Sequence, residues 1–124
     1  MAVRTFAAID VGSFELELGI YEMSYKTGIR RIDHVRHVIA LGKDTYSTGK
    51  ISYGLVEEMC QVLEEFVQIM KSYKVKDYRA YATSAMREAH NRQIILDQIR
   101  VRTGLTVRIL SLIHISEPTR LRRI

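Results

Sequence analysis

The chain has 124 residues, 47% of them apolar and 27% charged, enough for one packed core and unlike a disordered composition. A single cysteine excludes a disulfide framework and any multi-cysteine metal site, and no apolar run reaches the roughly 18–20 residues that span a bilayer. The net charge is +5, but Arg120, Arg122 and Arg123 against Glu117 place +2 of it in residues 112–124, so the remaining +3 argues little for a nucleic-acid partner. The start, MAVRTFAAIDVGS, lacks the long apolar stretch of a secretory signal, and a cytoplasmic protein is expected.

Phe6 to Val11 is an apolar run interrupted only by Asp10, and Gly12-Ser13 follows as a tight turn. Leu16, Leu18 and Ile20 then alternate with Glu15, Glu17 and Gly19, which predicts a strand with one covered face. Lys26-Thr27-Gly28 reads as a turn and Ile29 to Leu41 as a third strand, giving an antiparallel meander. Gly42 to Lys50 is polar with two glycines and reads as a loop. Ser52 is placed to cap a helix whose buried face is Leu55, Met59, Val62, Leu63, Phe66 and Met70. Tyr78 to Ala82 reads as a fourth strand. Thr83-Ser84 leads into a second helix over 85–102, stopped by Gly104, before a short strand at Leu105 to Leu110. The expected order is β-β-β-α-β-α-β, an α/β fold with a mixed sheet and helices on its faces.

Two stretches have residues suited to phosphate chemistry. In Asp10-Val11-Gly12-Ser13 a strand delivers a carboxylate to a turn whose glycine admits a phosphate oxygen, whose serine donates, and whose aspartate can hold a divalent cation. The same four residues also make an ordinary hairpin tip. In Ala82 to Asn91 a strand delivers Thr83 and Ser84 to a helix start, with Arg87 one turn in and able to fork onto phosphate oxygens. The plain alternative is an N-cap and a surface arginine paired with an acid. Cys60 reads as a small core residue. His34 and His37, three apart on a strand, face opposite sides and cannot share one cation.

Together the two stretches resemble the N-terminal domain of the exopolyphosphatase / guanosine pentaphosphate phosphatase (Ppx/GppA) family, whose first motif is Ala8-Ile9-Asp10-Val11-Gly12-Ser13 here. The second, Ala-Thr-Ser-Ala-x-Arg-x-Ala-x-Asn, is matched at all seven defined positions from Ala82 to Asn91. Gly49 to Ser52, Thr103-Gly104 and Ile109-Leu110-Ser111 continue the likeness over about residues 3–111. The resemblance implies an actin-like ATPase (ribonuclease H-like) half-domain and hydrolysis of terminal phosphoanhydrides of polyphosphate or guanosine pentaphosphate with Mg²⁺. It places Asp10 at the metal and Gly12, Ser13, Thr83, Ser84 and Arg87 at the phosphates. A homodimer of the intact protein is left open, and no membrane or nucleic-acid partner is implied.

Three departures bear on activity. Phe14-Glu15 stands where family members carry Asn-Ser, and Glu15, opposite Leu16 in the alternation, is expected to face the cleft. The Gly-x-Glu-Glu-Ala that supplies the family's water-activating glutamate is replaced by Leu112-Ile113-His114-Ile115, so no catalytic residue is identifiable. The second lobe, with its opposing phosphate loop, is absent from these residues. The expectation is an incomplete, inactive phosphatase domain over 1–111, with 112–124 a non-family tail that looks like translated sequencing adapter. A non-catalytic polyphosphate- or nucleotide-binding module and half of a sugar or acetate kinase are the other readings.

Overall fold

The computed structural model describes residues 3–110. Ser111, Glu117 and the expected tail at 112–124 lie outside the described residues. Three antiparallel strands open the chain: β1 (Arg4–Val11), β2 (Glu15–Ser24) and β3 (Gly28–Val38). Two helices follow, α1 (Leu41–Thr48) and α2 (Tyr53–Ser72), then β4 (Asp77–Ala82). Helices α3 (Ser84–Glu88) and α4 (Arg92–Thr103) lead to β5 (Arg108–Ile109). The five strands form one mixed sheet in the order β3-β2-β1-β4-β5, with β4 parallel to both β1 and β5.

The period-two pattern decides which face is covered. Ala7, Ile9 and Val11 of β1, Leu16, Leu18 and Ile20 of β2, and Ala80 and Ala82 of β4 are all buried. They form one core with Met59, Leu63 and Phe66 of α2 and Ile95 and Ile99 of α4. Ser52 caps α2 by accepting from the Leu55 amide at 3.4 Å, as its sequence position predicts. Cys60 is fully buried in the same core. Ala8, Asp10, Glu15, Glu17, His34 and Arg36 point to the other face, which no described helix covers. His34 bonds Glu17 on that face while His37 reaches Glu58 of α2 on the other, so the two histidines do part as strand geometry requires.

The helix expected after Ser52 forms unbroken as α2, one unexpected helix is added, and the other expected helix is divided. Helix α1 starts at Leu41, where the third strand was expected to end although β3 stops at Val38, and takes up most of the stretch read as a loop at Gly42 to Lys50, ended by Gly49 in the left-handed conformation (φ 80°). Polar composition hid it, although Leu41 and Thr45, four apart, are both buried and the Thr45 hydroxyl donates to the Leu41 carbonyl at 2.8 Å. The helix expected over 85–102 is broken at Ala89-His90-Asn91. The break is held from outside: the His90 amide donates to the Gly49 carbonyl at 2.7 Å. Asn91 donates to the Ile51 carbonyl at 3.1 Å and accepts from the Ile51 amide at 3.3 Å. A side-chain amide thus replaces a strand partner for a buried residue, and the α1–α2 junction is tied to the α3–α4 break. Asn91→Ala is expected to cost about 1–3 kcal/mol, because it strands two backbone groups of Ile51. Urea midpoints of the two chains check this, and Asn91→Asp, which keeps only the acceptor, should fall between them.

Candidate phosphate site

Parallel pairing of β1 with β4 puts both motifs at one edge of the sheet. Val11 stands beside Ala82, and the Thr83 amide donates to the Val11 carbonyl at 3.1 Å. The chain leaves both strands there, so the Gly12-Ser13 turn and the start of α3 meet side by side. The hydroxyls of Ser13 and Ser84 lie 3.2 Å apart although 71 residues separate them. Thr83 makes no side-chain capping bond to α3.

Arg87 leaves the surface of α3 and donates from one guanidinium nitrogen to the Leu110 carbonyl at 2.9 Å. Leu110 itself follows β5, whose end lies at this same edge, and its amide donates to the Ala82 carbonyl at 2.9 Å. The arginine therefore spans from the second motif to the last strand, and among the described residues it makes no ion pair with an acid. Because α3 has only five residues, the donors here are hydroxyls and a guanidinium rather than a long helix dipole.

Gly12 serves the site differently from the expected amide cradle. Its N–H is used within the turn, donating to the Glu15 carbonyl at 2.9 Å. A Cβ on Gly12 would stand 3.1 Å from that same oxygen, so glycine supplies room for the turn. Glu15 is on the open face, as the alternation predicts. It is not an unbalanced charge: Arg36 Nε lies 3.0 Å from its Oε2.

Asp10, Glu15 and Glu17 form an acidic group on that face. Partial burial, then repulsion from Glu17, holds the Asp10 carboxyl above the usual aspartate range. A hydrogen bond with Glu17 does most to raise Glu15, while the bond from His34, then that from Glu15, lowers Glu17. A carboxyl whose folded pKa exceeds its unfolded value opposes folding once ionised. Asp10→Asn is therefore expected to raise the thermal midpoint at neutral pH. The gain should shrink as pH falls through the folded-state pKa, where Asp10 is itself protonated. Melting curves taken in steps from neutral pH into the carboxylate range check this.

Among the described residues no group of three His, Cys, Asp or Glu side chains is arranged to hold a metal. A 510 Å³ hollow lined by Arg79, Tyr81 and Arg108 lies along β4 and β5 and includes none of the motif residues. Convergence of side chains marks the site. One member has no motif signature: Tyr46 of α1, whose phenol oxygen is 3.1 Å from Ser13 Oγ.

The sequence pattern of the Ppx/GppA phosphatase family matches residues 21–112. The chain belongs to the Ppx/GppA phosphatase family. The family assignment joins the resemblance carried by the two motifs to the fold that juxtaposes them. Exopolyphosphatase 1 of Mycobacterium tuberculosis is 28% identical over 102 residues, covering 82% of this chain and 30% of the relative. The corresponding protein of Mycobacterium leprae is 29% identical over 103 residues. The crystal structure of the Aquifex aeolicus member of the Ppx/GppA family superposes with a TM-score of 0.86 at 28% identity, covering 90% of this chain and 36% of that one. An exopolyphosphatase from Cytophaga hutchinsonii, 22% identical, shares the fold with a TM-score of 0.82. The sheet and helices are thus a Ppx/GppA half-domain of the actin-like ATPase fold. The chain spans about a third of the length of the curated relatives it matches. No helix among the described residues is long and apolar enough to cross a membrane.

Proposed function

We propose that residues 1–111 are the phosphate-gathering domain of an exopolyphosphatase-type hydrolase, acting on terminal phosphoanhydrides of polyphosphate or guanosine pentaphosphate. The observation that carries this reading is the 3.2 Å approach of Ser13 and Ser84, which merges two phosphate motifs into one edge. In this reading Gly12 gives clearance, Ser13, Thr83 and Ser84 donate to chain phosphates, and Arg87 offers its remaining N–H groups to the reacting phosphoryl group. Hydrolysis transfers that group to water and leaves a chain one phosphate shorter.

Asp10 is the residue suited to a divalent cation. Mg²⁺ usually takes one or two carboxylates plus substrate phosphates and waters, and Asp10 fits it as the member of the acidic group that neither Arg36 nor His34 engages. When bound, the ion would offset charge on the phosphate oxygens. A raised Asp10 pKa accords with a carboxylate that gains from a cation.

The glutamate that activates water in the family the motifs resemble has no match in this sequence, and of the acids on the open face Glu15 is engaged by Arg36 and Glu17 by His34. General-base help is typically worth about 10²–10⁴-fold. Purified residues 1–124 are therefore expected to bind tripolyphosphate in Mg²⁺, weakly and less so as salt rises, and to release no phosphate from polyphosphate at an enzymatic rate. Calorimetry and a phosphate-release assay check this beside an Asp10→Ala/Arg87→Ala chain. Loss of binding in the double variant is the expected result. Equal binding by both chains would overturn the site, and robust release abolished by the double variant would overturn the inactivity.

A further inference from the structure

The helix that sequence patterning hides, α1, closes on the first phosphate motif at two points. The Gly42 amide donates to the Ser13 carbonyl at 2.8 Å. One turn later, the phenol of Tyr46 meets the Ser13 hydroxyl at 3.1 Å. Gly42 makes the second contact possible: a Cβ there would sit 2.9 Å from Cε2 of the Tyr46 ring and 3.2 Å from the Ser13 Cβ. The ring therefore lies against bare backbone, with its oxygen delivered to the serine pair. Ser13 is gripped by main chain and side chain from one helix, and Ser84 bonds its hydroxyl from the other side.

We infer that Tyr46 is a positioning residue for phosphate binding, holding the Ser13 hydroxyl so that its proton is presented to a phosphate oxygen. This rests on the proposed phosphate site. A phenol is a better donor than an aliphatic alcohol, so Tyr46 gives its proton to Ser13 Oγ and occupies a lone pair there. The Ser13 proton is then turned toward Ser84 or, when a phosphate is present, toward the ligand.

The test is a double-mutant cycle on residues 1–124 with sodium tripolyphosphate, read by calorimetry in Mg²⁺. Tyr46→Phe keeps the ring and removes one hydroxyl. It should weaken binding about 3- to 10-fold, the scale of one hydrogen bond, without changing the circular dichroism spectrum. Ser13→Ala should weaken it at least as much, and adding Tyr46→Phe to Ser13→Ala should do nothing further. Gly42→Ala, whose methyl pushes the ring away, should reproduce the Tyr46→Phe loss. If Ser13→Ala weakens binding and Tyr46→Phe does not, the phosphate site stands and the role of Tyr46 is overturned. Additive losses would mean that Tyr46 does not act through Ser13. Tighter binding by Tyr46→Phe would mean that the phenol occupies the ligand's place. Absence of tripolyphosphate binding by the unaltered chain would overturn site and inference together.

Discussion

Arg87→Ala is expected to lower kcat/KM for polyphosphate roughly 10²–10³-fold, about 2.7–4 kcal/mol, when made at the matching arginine of a full-length family member. The reason is its anchoring. One guanidinium nitrogen is already committed to the Leu110 carbonyl at 2.9 Å, so the side chain is ordered before any ligand arrives. Little rotamer entropy remains to be lost on binding, and in the proposed site the other N–H groups are left for phosphate. Lysine has a single ammonium and cannot hold the carbonyl and fork onto phosphate together. Arg87→Lys should therefore lose nearly as much as Arg87→Ala. Steady-state kinetics with both variants, beside thermal melts, separates chemistry from folding. Unchanged turnover with a lowered melting point would reduce Arg87 to a strut between α3 and β5.

Phe66→Ala is expected to remove about 3–5 kcal/mol of stability, enough to leave a domain of ordinary stability partly unfolded. Phe66 is 1% exposed, on the buried face of α2 in the core it shares with the sheet. Phe66→Leu keeps most of that volume and should cost less. Denaturant unfolding of the three chains gives the order directly. Phosphate binding should fall with the folded fraction in Phe66→Ala but keep its affinity in the molecules that remain folded, unlike the Arg87 variants.

The large features could be read from residues because one physical pattern governs each. Alternation at Leu16, Leu18 and Ile20 states which face of β2 is covered, and 3.6-residue spacing from Leu55 to Met70 states which face of α2 covers it. That the two motifs meet was legible because Asp10, Ser13, Thr83 and Ser84 lie at or just beyond the ends of β1 and β4, with Arg87 in the short helix that follows. What escaped was set by contacts between distant segments. Helix α1 is short and polar, and it is held by Leu41 in the core and by Gly42 against Ser13 rather than by its own propensity. Nothing in Arg92 to Thr103 announces that Asn91 will break the helix before it; only Ile51, 40 residues away, gives that amide its partners. Tyr46 was invisible for the same reason, since its partner Ser13 lies 33 residues back.

The Ser13–Ser84 pair also carries a consequence for how the chain reaches its native state. The β1-β2-β3 meander needs only neighbouring segments and closes through short turns, a process on the scale of microseconds for a hairpin. Parallel pairing of β1 with β4 must wait until a loop of some 70 residues closes, and contacts of such separation form slowly. The two hydroxyls come together only when that last pairing is made. In a refolding experiment, capacity to bind tripolyphosphate should return with the slowest phase, after the circular dichroism of the meander has recovered. A phosphate chain present during refolding would bind only completed molecules and draw the population toward them by mass action.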